Sequence, residues 1–360
     1  MNKVPTYSAT PNDTLFFRGG EPMGMGESHF QTSIFPPSPE TFIGAIRTLI
    51  IARNSKEDFE GYKNGKYNET DWYREIGFGD LPESFNFIGP FLKKDNELLF
   101  SPPSNLFTTS DKNKFAIAMP KLLNEVKHSS IREYIMWIDK SNDIDSSDWK
   151  PVEDYITVKG MEKYLKGSIS SLNRDDFIQP GYIFENEKRT GIALKKGLRT
   201  VKEKYLYMTS HKRFKENVGM VFHLGGVSSL PDSDILQLGG ENRTVFYEKI
   251  SDLIFPSYEA GVEFMVTTMP FKVNRVVDGI PLTDFVDDDL KVLLPGGIRS
   301  KLISYSVKRP LLFGGWDMAK HKSKDMVQYL PAGSVFYFEN CSAKGKNHKF
   351  LLGGKNVQQA

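Results

Sequence analysis

The residues of this chain that could do chemistry are mostly cations and glycines. Between Glu187 and Lys215 stand Lys188, Arg189, Lys195, Lys196, Arg199, Lys202, Lys204, Lys212, Arg213 and Lys215, opposed in that stretch only by Glu187 and Glu203. A second run, Arg299, Lys301, Lys308, Arg309, Lys320, Lys322 and Lys324, includes one acid, Asp317. Lys344, Lys346, Lys349 and Lys355 follow with none. Cations grouped in this way lower the free energy of a polyanion lying along them. Aromatics are interleaved, with Tyr205, Tyr207 and Phe214 in the first run and Trp316 and Tyr329 in or beside the second. Single-stranded RNA is bound by cations on its phosphates and by flat side chains under its bases. The competing reading is plain: solvated lysines on element surfaces, and aromatics in the core. Trp316 follows Gly314-Gly315 in an expected loop, so it is the aromatic expected to stack.

Four glycine pairs punctuate the chain: Gly19-Gly20, Gly239-Gly240, Gly296-Gly297 and Gly314-Gly315. None lies in a Walker loop or a GxGxxG fingerprint after a buried strand, so nucleotide hydrolysis has no support. Glycine permits close backbone approach, and successive N–H groups in such turns can bind phosphate oxygens. Each pair is otherwise simply a turn. The segment LQLGGENRTVF says more, because Arg243 follows Gly240 by three residues and could set a guanidinium beside a backbone anion site.

Other reactive side chains are sparse. His128, His211, His223, His321 and His348 show no helical metal spacing, so no metal site is expected. Asp175-Asp176 and Asp287-Asp288-Asp289 could hold a divalent ion or form exposed turns. The single cysteine, Cys341, excludes an internal disulfide framework and a multi-cysteine zinc site. It reads as a structural residue near a strand end, and a reducing cytoplasm fits. No cofactor is expected.

The positioning elements come next. At 360 residues, with 39% hydrophobic and 26% charged residues, a folded protein of two domains is expected. Net charge is only +2, so it is the segregation of charge that points to a partner. No signal-peptide core or membrane-span run is legible, and a soluble intracellular protein is expected. A first strand is expected at Thr14–Arg18, then a glycine-rich loop, then a helix from Ser38 to Arg53. Ser38 suits the N-cap, Pro39 the first helical position, and Phe42, Ile43, Ala45, Ile46, Leu49 and Ile50 form its apolar stripe. Gly44 within it implies a close packing partner, since glycine there costs about 1 kcal/mol relative to alanine. Residues 54–84 read as a polar, turn-rich insertion, and 139–150 as an acidic solvated loop. Asn86–Phe100 reads as a hairpin. Further strands are expected around 177–184, 205–210, 219–224, 244–250, 262–270, 303–307 and 334–339. The fold class is therefore α+β with antiparallel sheets rather than a parallel doubly wound sheet. Strand, loop and helix at the start match the opening of a ferredoxin-like unit. A domain change is placed near 225, giving domains 1–225 and 226–360.

Five segments, taken in order, resemble the third-subunit family of the Cmr complex, the type III-B CRISPR effector, within the RAMP superfamily. They are LFFRGGEPMG (Leu15 to Gly24), FPPSPETFIGAIRT (Phe35 to Thr48), KRTGIALKKGLRTVKEKYLY (Lys188 to Tyr207), LGGENR (Leu238 to Arg243), and RPLLFGGWDMAKHKSK followed by LPAGSVFYFE. The resemblance implies two tandem ferredoxin-like (RRM-like) domains with inserted loops. It implies a non-catalytic subunit that grasps the repeat-derived 5′ tag of the crRNA, partnered by the large palm-domain subunit and the backbone subunit. Carried onto this sequence, the implied RNA contacts are Arg18, Gly19, Gly20, Arg189, Lys195, Lys196, Arg199, Lys202, Lys204, Gly239, Gly240, Arg243, Gly314, Gly315, Trp316, Lys320, Lys322 and Lys324. Some relatives of this superfamily cleave repeat RNA, and His29 lies near where those carry a catalytic histidine. A repeat-cleaving endoribonuclease using His29 is therefore the alternative, with a loop histidine as the plain reading.

Overall fold

The computed structural model of the chain describes residues 4–19, 30–54, 56–66, 71–78, 80–122, 134–138, 148–194, 201–251, 253–256, 264–277, 280–294, 298–317, 321–339 and 349–352. It is α+β, with mostly antiparallel sheets and few helices. Two compact units are present, and neither is contiguous in sequence. Unit 1 takes residues 1–90, 181–252 and 312–327; unit 2 takes 91–180, 253–311 and 328–360.

Unit 1 is built on neighbouring strands in the order Ser233–Gln237, Thr244–Ile250, Thr6–Pro11, Val218–Gly225 and the start of Asn86–Lys94. Thr6–Pro11 is antiparallel to both its neighbours, with Tyr7 opposite Phe222 and Lys249. One face carries a cluster of rings: Tyr7 stacks on Phe222 at 5.2 Å, and Phe222 meets Phe42 at 5.4 Å and Phe87 at 5.7 Å. Phe42 belongs to the helix Pro39–Asn54, whose Phe42, Ile43, Ile46 and Ile50 are buried as their spacing predicts. Ser38 caps it, accepting from the Thr41 N–H at 3.3 Å.

Three expectations are corrected here. Gly44 is exposed and a Cβ there would meet nothing within 4 Å, so no packing partner explains it. Residues 54–84 contain the helices Lys56–Lys63 and Asp71–Ile76, and Trp72, Tyr73 and Ile76 are buried, so this segment supplies core surface. Thr14–Arg18 is not a strand. Its Leu15 and Arg18 make only isolated bridges, to Lys212 and Ser33, because the Phe17 N–H donates to the Ser33 hydroxyl and the ladder breaks there.

A long antiparallel ribbon, Phe184–Leu194 with Val201–Phe214, completes the positioning frame of unit 1. Phe30–Thr32 joins its second strand in parallel, with Gln31 opposite Thr209. A second ribbon, Leu311–Asp317 with Lys322–Leu330, occupies the region expected to be a loop around Trp316. Alternating residues along a strand pair like any others, and a glycine pair does not by itself stop a ladder.

In unit 2, Glu97–Phe100 pairs with the end of Asn86–Lys94 as the expected hairpin, and with Tyr155–Thr157. A five-stranded sheet runs Lys291–Leu294, Ile298–Ser306, Val335–Phe338, Phe264–Thr267, Lys349–Leu352. The helix Val158–Leu165 is capped by Thr157, and its Tyr164 ring meets Phe264 edge-on at 5.5 Å. Tyr164 donates to Asn105 Oδ1 at 2.8 Å and Asn105 donates to Tyr337 at 2.8 Å, so a buried polar chain is satisfied from within. The acid pairs are structural. Asp176 is buried against Lys163 at 2.7 Å, and Asp287 accepts from the N–H groups of Asp289 and Lys291 within its own turn.

Two glycines test this architecture in opposite directions. Gly44→Ala should raise stability by about 1 kcal/mol, because alanine favours the helix and meets no obstacle. Gly226→Ala should lower it by about 2 kcal/mol or more, since φ is +74° and the new Cβ would lie 1.9 Å from the Ser84 carbonyl oxygen. Thermal melts of the two variants beside the native chain check both signs.

Candidate nucleic-acid interface

The first ribbon presents alternate residues to each face. Glu187 pairs with His211 and Arg189 with Thr209 on one face, while Asn186 pairs with Lys212 and Lys188 with Ser210 on the other. On the first face, three guanidiniums converge on Asp13. Arg189 Nη2 lies 2.9 Å from Asp13 Oδ2, Arg213 Nη2 lies 3.0 Å from Oδ1, and Arg243 Nη1 lies 2.8 Å from Oδ2. Glu187 accepts from Arg189 Nε at 2.8 Å and also from Arg213 Nε. Glu241 faces Arg243 at 3.5 Å and His211 at 3.1 Å. Charge-assisted bonds of this kind are the short, strong ones.

His211 is fully buried, stacked on Phe16 at 5.0 Å. Its Nδ1 lies 3.1 Å from the Thr14 hydroxyl and its Nε2 3.0 Å from that of Thr209. A carboxylate only accepts, so contact with Glu241 assigns the proton to Nε2 and leaves Nδ1 to accept from Thr14. Burial pushes its pKa down, and the charges of Arg243 and Arg189 add to that against Glu241. Burial alone lowers His223, which bonds to Thr6 at 2.9 Å. For Asp13, burial pushes the carboxyl up, but the hydrogen bonds from Arg189 and the Thr14 N–H and the nearby arginine charges outweigh it and keep it below the usual range. Bonds from Arg213 and Arg189 lower Glu187 likewise.

The sequence-expected residues fall into distinct groups. Arg189 and Arg243, 54 positions apart, are brought together around Asp13. The Gly239-Gly240 pair sits against Phe16: the Gly240 N–H donates to the Phe16 carbonyl at 2.8 Å, and a Cβ on Gly239 would lie 2.6 Å from that oxygen. Gly239 has φ +87°, so glycine is required for this approach, and the Gly240 N–H is already engaged within the protein. Arg18 is exposed, and a Cβ on the adjacent Gly19 would press on Ile34 at 2.8 Å. Lys322 and Lys324 project from the second ribbon, exposed and with no counter-ion among the described residues. Gly314 and Gly315 lie in its partner strand, close to Met326 and Lys324. Gly20, His29, Lys195, Lys196, Arg199, Lys320 and Cys341 lie outside the described residues. The strands include the backbones of Lys202, Lys204 and Trp316, whose side chains also lie outside them. Phe214 is half-buried and packs edge-on against Phe35 at 5.5 Å, and Tyr329 is a buried core residue.

The expectation that only Glu187 and Glu203 oppose the first cationic run is corrected. Folding recruits Asp13, Glu185 and Glu241 as well, with Glu185 2.6 Å from Lys215. Asp13 and Glu241 escaped notice because neither lies in the run. Glu241 follows the glycine pair directly, and that adjacency was the available signal; Asp13 carried none. Unit 2 holds an open cleft of about 640 Å³ that was also missed. Lys112, Lys150 and Arg174 line it beside the stacked Phe115–Phe177 pair, and Asp154 neutralises Lys112. No helix among the described residues is long and apolar enough to cross a membrane.

Both imidazoles titrate below their unfolded value, so the unfolded chain takes up more protons as pH falls through about 6.5. Stability should therefore fall with pH across that window. Melting temperatures between about pH 7.5 and about pH 5.5 check this. The double variant His211→Gln, His223→Gln should melt lower at neutral pH and show a flatter slope.

A family model described as CRISPR-associated protein (Cas_Cmr3) matches residues 7–351. A curated relative from Saccharolobus solfataricus, "CRISPR system CMR subunit Cmr3", is 28% identical over 155 residues, which is 42% of this chain and 44% of that protein. The match thus spans less than half of that relative's length. Two solved structures share the fold at 19% identity, each over 92% of this chain and 86% of theirs. One is a type III-B Cmr-beta complex bound to cognate target RNA and AMPPnP, with a TM-score of 0.50; the other is Cmr-beta bound to cognate target RNA, at 0.52.

Proposed function

Because this chain belongs to the Cas_Cmr3 family of CRISPR-associated proteins, we propose that it is a non-catalytic, RNA-binding subunit of a type III-B effector that holds the 5′ repeat-derived tag of the crRNA. Its partners in this reading are the large palm-domain subunit and the backbone subunit, in the cytoplasm. Two tandem ferredoxin-like (RRM-like) domains are the proposed origin of the fold.

The observation that carries the reading is the distribution of cations in unit 1. Arg18, Lys322 and Lys324 are exposed and uncompensated among the described residues, while Arg189 and Arg243 are gathered at one point on the first ribbon. In the sequence, Lys195, Lys196 and Arg199 fall between Leu194 and Val201. Long, exposed lysines suit phosphate contacts that set the register of a strand, and such contacts carry no base sequence.

Binding of single-stranded tag RNA should be strongly salt-dependent. About five phosphate contacts correspond to a loss of about a hundredfold in affinity between roughly 50 and 200 mM salt. Titration of the full chain with labelled tag RNA at both salt concentrations measures it, and salt-independent binding contradicts the reading. Replacing Lys195, Lys196 and Arg199 together by alanine should weaken tag binding while leaving the melting temperature near the native value.

The non-catalytic assignment has its own check. Repeat RNA incubated with the purified chain in chelator should stay intact, because metal-free cleavage needs a positioned acid and base. A cut that disappears in His29→Ala would establish the endoribonuclease instead.

A further inference from the structure

The Asp13 cluster contains more donors than it uses. Arg189, Arg213 and Arg243 are matched by the carboxylates of Asp13, Glu187 and Glu241, with His211 neutral between them. Asp13 accepts from all three guanidiniums and from the Thr14 N–H, which fills the acceptor positions of a carboxylate. Even so, Arg243 Nε is buried without an acceptor. Gln31 Nε2 is another such donor, on a side chain only 2% exposed. Gln31 is opposite Thr209 in parallel register, and paired residues share a face, so it belongs to the face that bears His211, Glu187 and Arg189. Buried donors without acceptors are uncommon in folded proteins and often mark a missing ligand or water.

Asp13 differs from the other two acids. It is 43% exposed and sits in the turn after Thr6–Pro11, so it can be reached from solvent and can swing away. A phosphodiester carries the same single negative charge as a carboxylate and suits paired guanidinium forks at least as well. Exchange of one for the other leaves the cluster electrically balanced, whereas simple addition of a phosphate would leave it one negative charge in excess.

We propose that the Asp13 carboxylate occupies the position of one backbone phosphate of the bound RNA strand, which displaces it and takes over Arg189, Arg213 and Arg243. This rests on the RNA-binding reading above and adds Arg213 and Gln31 to its contacts. Asp13 keeps three arginines ordered while the strand is absent, and competes with the strand for them.

The test is titration of the full chain with a fluorescent single-stranded RNA of the repeat-derived tag sequence. Asp13→Asn keeps the shape and removes the competing charge, so it should bind about fivefold tighter than the native chain. Arg213→Gln should bind about tenfold weaker. If Asp13→Asn folds natively and binds equally or more weakly, the exchange is overturned, while salt-dependent binding by the native chain leaves the functional reading standing. Should Asp13→Asn fail to fold, Arg213→Gln decides alone, and native affinity there overturns the exchange. No binding by the native chain at any salt concentration overturns both.

Discussion

Three guanidiniums around one carboxylate join segments that are far apart in the sequence of unit 1. Asp13 comes from the turn after the first strand, Arg189 and Arg213 from the long ribbon, and Arg243 from the turn after Gly239-Gly240. A ribbon with so many cations repels itself, and bringing its arginines close requires counter-charge from elsewhere. Asp13 and Glu241 supply it, beside the ribbon's own Glu187. The backbone reinforces the same junction, because the Gly240 N–H donates to Phe16 and Leu15 exchanges bonds with Lys212.

That junction also explains why its polar groups are tolerated. His211 has no exposure, yet both ring nitrogens have partners and Phe16 covers one face of the ring. Burial disfavours a protonated imidazole there, and such a group would also add a fourth cation beside Arg189 and Arg243, so the neutral form is favoured. The arginines remain partly exposed at the rim, where Arg213 is 40% open. A buried, neutral support beneath a charged, reachable rim is the arrangement expected where a flexible polyanion must be met in one register.

The second ribbon contrasts with the first. Lys322 and Lys324 stand free on a strand that turns inward only at Tyr329 and Leu330. Cations of this kind cost little to keep solvated and gain from any nearby phosphate through release of counter-ions. In the proposed RNA complex the two ribbons would then differ in role, one holding a fixed point and the other contributing general attraction.

How much of this was legible in the sequence can be read from particular residues. The helix Pro39–Asn54 was, because its capping residue and apolar period are local properties of a short segment. The hairpin Asn86–Phe100, the strand Thr244–Ile250 and the α+β class were too, since alternation and turn residues act within a few positions. The cations were countable, and the order of five segments carried the family. What the sequence left open was which distant acids would meet those cations. Asp13 and Arg213 are 200 positions apart, and their meeting is decided by strand pairing across the chain. The ribbon around Trp316, the helices in 54–84 and the true neighbour of Gly239 were hidden for the same reason. Local propensity is a short-range quantity, whereas charge compensation and close backbone approach exist only once the chain has folded.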